Sequence, residues 1–276
     1  MIDLHSHILH GIDDGANSLE ISLAMARAYV DDGVTVVACT PHILPGLYNN
    51  SGPAIRSAVA QLQFALTLAD IPLNLVTGAD NHLTPTMVRD LRTGHLLSLA
   101  DTRYVLIEPP HHVVPPRMDE TFFSLVAAGF VPILTHPERM TWISQHYAAV
   151  KNLAQSGVWM QLTAASILGM FGKTALYWSE RMLDDGLAHI IATDSHDIVT
   201  RKPCLKLARD RVLKRVGEFE AENLVSKRPR GILDNVAPHE LPLPPASSAM
   251  QQVDERSKAS DSSHIGFAGR VLRIFG

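Results

Sequence analysis

Seven short apolar runs, separated by segments with helical spacing, constrain the fold of this 276-residue chain most strongly. The runs are the N-terminal segment that carries His5 and His7 and residues 34–40, 73–77, 104–107, 131–135, 158–162 and 188–192. Segments 18–30, 54–69 and 118–128 between them have the apolar spacing of amphipathic helices. Alternation of strands with helices predicts an α/β fold with a parallel sheet covered by helices, and the length and strand count predict closure into a barrel.

Side chains that can bind metal ions follow six of the seven predicted strands. In a parallel barrel the carboxyl ends of the strands meet on one face, where active sites are built. A single polar residue after a strand is more often a simple cap, but recurrence at corresponding places predicts a multinuclear metal site. The residues concerned are His5, His7, His42, Asp80, Glu108, His136, Asp194 and His196.

The first strand carries the densest part of this pattern. His5 and His7 lie two residues apart, so their side chains leave the same face of a strand and can converge on one cation. Asp13 and Asp14 follow in the next loop and offer carboxylate oxygens beside the imidazoles. A mixed set of nitrogen and oxygen donors suits manganese, iron or zinc better than calcium or magnesium.

The composition is that of a globular protein and excludes several other classes. Apolar residues make up 46% and charged residues 19%, with a net charge of −4, which argues against a disordered chain and offers no conspicuous basic surface for nucleic acid. The N-terminus has no signal-peptide pattern and no run approaches the roughly 20 apolar residues of a membrane span, so we expect a cytoplasmic protein. Cys39 and Cys204 make no disulfide framework.

The C-terminal region differs in composition from the rest of the chain. Residues 236–264 are rich in Pro, Ser, Ala, Gln and Asp without apolar periodicity, which predicts a disordered linker after a domain spanning residues 1–235. Residues 265–276 interleave apolar side chains with Arg270 and Arg273 and form a short basic amphipathic tail. A frayed end and a peptide that docks on a partner or a membrane surface are both open for this tail.

Six motifs occur in an order and spacing that resemble a known family. They are IDLHSHILHGIDDGA, ACTPH, GAD, LIEPP, LTHPER and ATDSH, with Arg201 downstream. Together they resemble the polymerase and histidinol phosphatase (PHP) superfamily, and within it the bacterial tyrosine-protein phosphatases of capsule and exopolysaccharide operons. The resemblance covers about the first 235 residues and implies a distorted seven-stranded (β/α) barrel of PHP type.

The resemblance also implies a function and a ligand set. It implies hydrolysis of phosphotyrosine on a bacterial tyrosine kinase that controls polysaccharide synthesis, with manganese or iron as the metal, two to three ions per chain, and zinc or magnesium as further options. Arg139 and Arg201 match arginines that bind the phosphate, and for each of them a salt-bridge role on the barrel rim stays open as the alternative. The three implied metal sites are His5, His7 and Asp194 with a bridging Asp80; Asp80, Glu108 and His136; and Asp14, His42 and His196.

One position departs from the family pattern. The bridging residue is commonly glutamate, whereas this chain has Asp80, which is shorter by one methylene. We expect weaker binding of the two metals that flank it, and His82, two residues on, is a rival ligand. His10, His82, His111 and His112 are otherwise predicted to be surface groups or to contact metal ligands without binding metal themselves.

Other activities fit the sequence less well. A thiol phosphatase needs a cysteine followed after five residues by arginine, but Pro45 and Asp210 stand at that place after Cys39 and Cys204. A small-molecule phosphatase of the same superfamily, such as one acting on histidinol phosphate, shares the metal chemistry and stays open. So does a non-catalytic, metal-bound regulatory partner of a kinase, although the near-complete ligand set argues against it.

Overall fold

The computed structural model describes residues 1–246 as an α/β fold in which parallel strands alternate with helices. Within these residues the strands are β1 (Ile2–Ser6), β2 (Val36–Cys39), β3 (His42–Ile43), β4 (Asn74–Thr77), β5 (Asp80–His82), β6 (Tyr104–Glu108), β7 (Val131–Thr135), β8 (Trp159–Thr163) and β9 (Ile190–Ala192). The α-helices are α1 (Leu19–Asp31), α2 (Gly52–Leu68), α3 (Met87–Arg92), α4 (Met118–Ala127), α5 (Ile143–Gln155), α6 (Ala164–Ile167), α7 (Gly172–Asp184), α8 (Leu205–Val216), α9 (Glu218–Glu222) and α10 (Arg228–Leu233).

The strands form two parallel sheets that adjoin at both edges. The first has the order β1-β2-β4 and the second the order β3-β5-β6-β7-β8-β9. At one edge, β2 leads into β3 and β4 leads into β5 after two-residue interruptions. At the other, Ser6 at the end of β1 forms a parallel bridge with Ser195, just past β9. The parallel sheet is therefore curled, with helices packed around it.

Nine strands form within residues 1–246, whereas the sequence predicts seven. The two additional strands are β3 and β5, which form just after the ends of two predicted strands. Pro41 separates β2 from β3 and has no N–H to donate, but its carbonyl accepts from Asp80 N at 3.2 Å. These short strands begin with His42 and Asp80, so the interruptions place two of the predicted metal-binding residues in a hydrogen-bonded register.

The core consists of two apolar layers on the two sides of the curled sheet. Alternation along β6 places Tyr104 and Leu106 in the smaller cluster and Val105 and Ile107 in the larger one, which also takes the inner faces of the helices. The helices at residues 54–69 and 118–128 were predicted within two residues of their observed bounds. This rigid packing supports the strand ends that carry the polar cluster.

The chain continues in contact with the folded domain after residue 235. The Tyr104 hydroxyl donates to Val236 O at 2.7 Å, and Arg228 Nε donates to Pro242 O at 2.6 Å. The first residues of the predicted linker are therefore packed, while the rest of it and the predicted amphipathic tail at 265–276 lie outside the described residues. No helix within residues 1–246 has the length and apolar character needed to cross a bilayer.

Candidate metal centre

All nine predicted metal-binding residues meet at the carboxyl ends of the strands. Seven of them are buried; the exceptions are His42, whose side chain is 14% exposed, and Asp14, at 43%. Their nitrogen and oxygen atoms fall into overlapping groups in which every atom lies within 4.8 Å of the others. The groups are His5, His7 and Asp80; His7, Asp14, His42 and His196; His42, Asp80 and Glu108; and Glu108, His111 and His136.

Asp194 joins the first of these groups through its side chain. Its Oδ1 lies 3.3 Å from His7 Nε2 and 3.5 Å from His5 Nε2, and the two imidazole nitrogens lie 3.3 Å from each other. Asp80 Oδ2 is 3.4 Å from His5 Nε2. These atoms thus surround a common point as the sequence predicts, although none of the distances is as short as a charge-assisted hydrogen bond of about 2.7–2.9 Å.

The outer nitrogens of the same two histidines behave differently. His5 Nδ1 lies 2.7 Å from Gln161 Oε1, and His7 Nδ1 lies 2.7 Å from Asp13 Oδ2. Because both partners are acceptors, each Nδ1 carries a proton and donates. When either imidazole is neutral, its Nε2 keeps a lone pair that faces the other ring and the carboxylates. This is the arrangement of metal-binding histidines held by outer hydrogen bonds.

The electrostatics of this group favour a positive charge between the side chains. Burial lowers the pKa of an imidazole, yet the pKa of His7 is raised to about 10 because Asp13 and Asp194 lie against it. The pKa of His5 is likewise raised by Asp80 and Asp194 despite burial. A metal ion competes with protons for such a place, so metal binding here releases protons.

Asp80 provides a direct test of whether the residues fit a metal. Its side chain is buried, and neither of its oxygens has a hydrogen-bond partner within the described part of the chain. An unpaired buried carboxylate is unfavourable by several kcal/mol unless a cation compensates it. Two donors bonded at about 2.0–2.2 Å to one cation are separated by roughly 3.0–3.5 Å, which matches the distances within the cluster.

A further group contains the predicted third site. Asp14 Oδ1 lies 3.3 Å from His196 Nε2 and 3.6 Å from His42 Nε2. Burial, together with the neighbouring His7, lowers the pKa of His196 to about 4, so its imidazole is neutral and able to bind a metal at neutral pH. Burial raises the pKa of Asp14, but the imidazoles around it lower it more, and the carboxyl is ionised.

The structure groups Glu108 and His136 as the sequence predicts and adds a residue. Glu108 Oε1 lies 3.5 Å from His136 Nε2, and Glu108 Oε2 lies 3.3 Å from His42 Nδ1. His111, predicted to be a spare histidine, lies 3.1 Å from Glu108 Oε1. The rival ligand His82 belongs to none of the four groups found among residues 1–246.

Both predicted phosphate-binding arginines lie beside the cluster. Arg139 Nη1 and Arg201 Nη2 donate to Asp194 Oδ2, the latter at 2.7 Å. The two guanidinium carbons lie 4.6 and 5.9 Å from the ring centroid of Phe171, which orients them by cation–π contact. The Nε of Arg201 is buried and has no hydrogen-bond partner in residues 1–246.

Sequence reasoning missed the residues that orient the site. Gln161 and Phe171 were not singled out, and Asp13, expected to offer oxygen to a metal, instead holds His7 and accepts from His42 N at 3.1 Å. A polar residue within the apolar run 158–162 was the available signal for Gln161. The sequence contains no comparable signal for Phe171, because its contacts come from two separate loops.

Comparison with known proteins places this chain in a family. Residues 1–234 match the family described as capsular polysaccharide synthesis, CpsB/CapC. Tyrosine-protein phosphatase YwqE of Bacillus subtilis is 38% identical over 201 residues, which are 73% of this chain and 79% of that protein. Tyrosine-protein phosphatase CpsB of Streptococcus pneumoniae is 28% identical over 239 residues, 84% of this chain and 98% of that protein.

A solved structure agrees with these relatives. It comes from crystallographic work on YwqE and CpsB, described there as unique metal-dependent tyrosine phosphatases, and matches with a TM-score of 0.83 and 35% identity over 86% of this chain and 96% of that chain. These findings confirm the resemblance to tyrosine phosphatases of capsule operons. The chain belongs to the CpsB/CapC family of capsular polysaccharide synthesis proteins.

Proposed function

We propose that this chain is a metal-dependent protein-tyrosine phosphatase whose substrate is phosphotyrosine on a bacterial tyrosine kinase that controls capsule or exopolysaccharide synthesis. The observation that carries the proposal is the buried cluster of inward-facing nitrogens and oxygens beside two arginines. Within residues 1–246 both oxygens of Asp80 lack a hydrogen-bond partner, and the Nε2 atoms of His5 and His7 have none closer than 3.3 Å, whereas the Nδ1 atoms of these histidines are hydrogen-bonded at 2.7 Å. The names of the relatives support the choice of substrate.

We assign the metal ligands as the family resemblance implies. His5, His7, Asp194 and Asp80 would hold one ion, Asp80, Glu108 and His136 would hold a second, and Asp14, His42 and His196 would hold a third. Imidazole with carboxylate donors suits manganese or iron, with two to three ions per chain. When bound, the ions supply positive charge at the phosphoryl oxygens and lower the pKa of water toward neutrality.

The protein's own side chains bind and orient the phosphoryl group. Asp194 and Phe171 fix the two guanidinium groups, and the donors of Arg139 and Arg201 that Asp194 does not take bind phosphoryl oxygens. Gln161 and Asp13 hold His5 and His7 in the tautomer that presents Nε2 to the centre. A phenolate leaves more easily than an alkoxide, so the substrate makes a smaller demand on a proton donor.

We also propose a closed architecture around this site. If β2 with β3 and β4 with β5 each count as one interrupted strand, the two sheets form a distorted seven-stranded barrel. The Ser6–Ser195 bridge and the bond from His7 N to Ser195 O at 2.9 Å support closure between β9 and β1. We place the catalytic domain at 1–235 together with the packed residues up to Pro242, followed by the rest of the linker to residue 264 and the tail at 265–276. We place the protein in the cytoplasm, where buried free thiols such as Cys39 stay reduced.

The test is turnover of a phosphotyrosine peptide together with metal content. Protein purified without chelator should hydrolyse the peptide, lose activity on chelation and regain it with Mn²⁺. Faster turnover of histidinol phosphate, measured in parallel, would make the protein a small-molecule phosphatase. Metal binding without turnover of either substrate would make it a non-catalytic regulatory partner.

The matched control is the double variant Cys39→Ser and Cys204→Ser. Burial raises the pKa of both thiols, to about 12 for Cys204, so neither is a thiolate at neutral pH. The double variant should keep full activity. Activity that survives chelation but disappears in the double variant would refute the metal mechanism.

A further inference from the structure

His111 lies at the edge of the candidate metal centre and is not among the residues that the motifs assign to it. It follows β6 by three residues, and its side chain is 29% exposed. Its Nε2 lies 3.1 Å from Glu108 Oε1, and its ring centroid lies 5.0 Å from that of His136. Its neighbour His112 is exposed, and its one ring contact is with His111, 6.3 Å between centroids, as far as the described residues go.

The backbone around His111 is held by three hydrogen bonds from the loop after β7. Thr141 N and Thr141 Oγ1 both donate to His111 O at 3.0 Å. Trp142 Nε1 donates to Pro110 O at 3.0 Å. The same loop region contains His136, so these bonds tie the positions of the two imidazoles together. The placement of His111 is therefore set by the fold and not by a free surface loop.

The spacing of the three side chains is that of donors around one cation. Glu108 Oε1 lies 3.1 Å from His111 Nε2 and 3.5 Å from His136 Nε2, and the donor atoms of all three lie within 4.8 Å of one another. Donors bonded at about 2.0–2.2 Å to a common ion are roughly 3.0–3.5 Å apart. Two imidazoles and a carboxylate form a set that binds transition metal ions.

The short carboxylate of Asp80 leaves room for such an additional ligand. Asp80 Oδ2 lies 4.0 Å from His136 Nε2, compared with 3.4 Å from His5 Nε2. Its carboxylate thus lies closer to the His5 side of the centre than to the His136 side. Asp80 would therefore coordinate an ion beside His136 more weakly than an ion beside His5.

We propose that His111 binds, through Nε2, the transition metal ion held by Glu108 and His136, and that it supplements the short Asp80 carboxylate. The inference rests on the metal dependence in the proposed function. It extends the ligand set by one residue and makes the site beside His136 a His₂-carboxylate site that Asp80 completes. His111 has one competing role, which is to donate a hydrogen bond to Glu108 without touching the metal.

Three substitutions separate these two roles. His111→Gln keeps a hydrogen-bond donor for Glu108 but removes a good metal ligand. His111→Glu supplies a ligand of similar reach but cannot donate a hydrogen bond when ionised. His111→Ala removes both, and His112→Ala is the matched control on the adjacent residue.

The experiment is titration of metal-stripped protein with Co²⁺ or Zn²⁺ alone, followed by calorimetry and, for Co²⁺, by absorption. Loss of a group that merely orients a ligand weakens metal binding about 10- to 100-fold, and we expect at least that for one ion in His111→Ala and His111→Gln. We expect substantial recovery in His111→Glu and unchanged binding in His112→Ala. The Co²⁺ spectrum of that ion should change in His111→Glu because an oxygen replaces a nitrogen.

Wild-type binding by His111→Ala, or recovery by His111→Gln in place of His111→Glu, would overturn the inference. Thermal unfolding of the metal-free variants verifies that they are folded. The rate of phosphotyrosine hydrolysis is measured on the same samples, independently of metal binding. Loss of one ion in a protein that never hydrolyses phosphotyrosine would refute the proposed function while leaving the His111 ligand in place.

Discussion

Two buried charged clusters lie at opposite ends of β9, and they differ in how their polar atoms are paired. Before the strand, the guanidinium of Arg228 donates to both oxygens of Glu220 at 2.8 and 2.9 Å, and to the carbonyls of His189 and Pro242. Each of its three nitrogens has a partner. After the strand, Asp194 opens the candidate metal centre, where Asp80 has no hydrogen bond from residues 1–246.

This difference distinguishes an internally paired cluster from the candidate metal centre. Arg228 and Glu220 satisfy each other, so the cluster needs nothing from outside the chain. At the candidate metal centre the carboxylates and imidazoles face inward at 3.3–3.6 Å, and both oxygens of Asp80 lack a hydrogen-bond donor within residues 1–246. Burial and charge are common to both clusters, and only the pairing of individual atoms tells them apart.

Substitution of Asp80 should have the largest effect on activity. Asp80→Ala should nearly eliminate turnover, a larger loss than the about 10²- to 10³-fold caused by removing one electrostatic donor, because it removes a carboxylate that faces two metal positions. Asp80→Glu should lower the metal concentration for half-maximal activity, since the longer arm reaches both ions.

His82→Ala is the control for Asp80. Burial lowers the pKa of His82, and its side chain belongs to no donor group in the described chain, so its removal should leave metal content unchanged. Metal titrations of Asp80→Ala, Asp80→Glu and His82→Ala measure metal content and the metal concentration needed for half-maximal activity. Full activity and metal content in Asp80→Ala with loss of both in His82→Ala would reverse the assignment.

At the opposite end, Arg228→Met should destabilise the fold without affecting the chemistry of the folded enzyme. Removing one member of a buried ion pair leaves the other charge unpaired and costs about 3–5 kcal/mol of unfolding free energy. Chemical denaturation measures this loss. The double variant Arg228→Met with Glu220→Leu should lose less than the single variant, and a larger loss in the double variant would contradict the argument.

Arg139→Ala and Arg201→Ala distinguish phosphate binding from metal binding. Each should lower kcat/KM for a phosphotyrosine peptide by about 10²- to 10³-fold, because each removes a guanidinium that stabilises the phosphoryl charge. Metal content, measured by elemental analysis, should stay at the wild-type level because neither residue is a donor to the ions. Wild-type kinetics in both variants would remove the arginines from the mechanism.

The sequence predicts the contents of the metal centre better than its internal order. The spacing of His5 and His7 only suggests a metal-binding pair, and the recurrence of such residues at strand ends, Glu108 among them, completes the prediction. Their convergence follows from parallel topology. The starts of β3 and β5, the hydrogen bond from His5 to Gln161 and the approach of His111 to Glu108 depend on contacts between distant segments. Local patterns contain no information on such distances, which packing alone determines.

His189, which directly precedes β9, should make the stability of the fold depend on pH. Burial and the nearby Arg228 lower its pKa from 6.5 to about 3, and its Nδ1 accepts from Met160 N at 3.1 Å. The unfolded state therefore binds a proton that the folded state does not, so stability falls as pH decreases from 6.5 toward about 3, by about 1.4 kcal/mol per pH unit. His189→Gln, which can still accept from Met160 N, should flatten this part of the profile in denaturation experiments between pH 6.5 and about 4. An equally steep profile in the variant would assign the dependence to other groups.

The smallest effect is expected from removing the C-terminal residues, and the point of truncation decides it. Truncation after Ala246 keeps every described residue, including the candidate metal centre and both arginines. Hydrolysis of a small aryl phosphate and the free energy of unfolding should both stay at wild-type values. Truncation after Val236 also removes Leu241, which packs against Gly231, and the carbonyl of Pro242 that accepts from Arg228. This should cost about 1–3 kcal/mol of stability, because a buried charged donor loses its acceptor, while turnover of the folded fraction stays unchanged. Denaturation and aryl phosphate hydrolysis of both truncated proteins test this, and activity lost by a folded protein ending at Ala246 would show that the C-terminal residues take part in the chemistry.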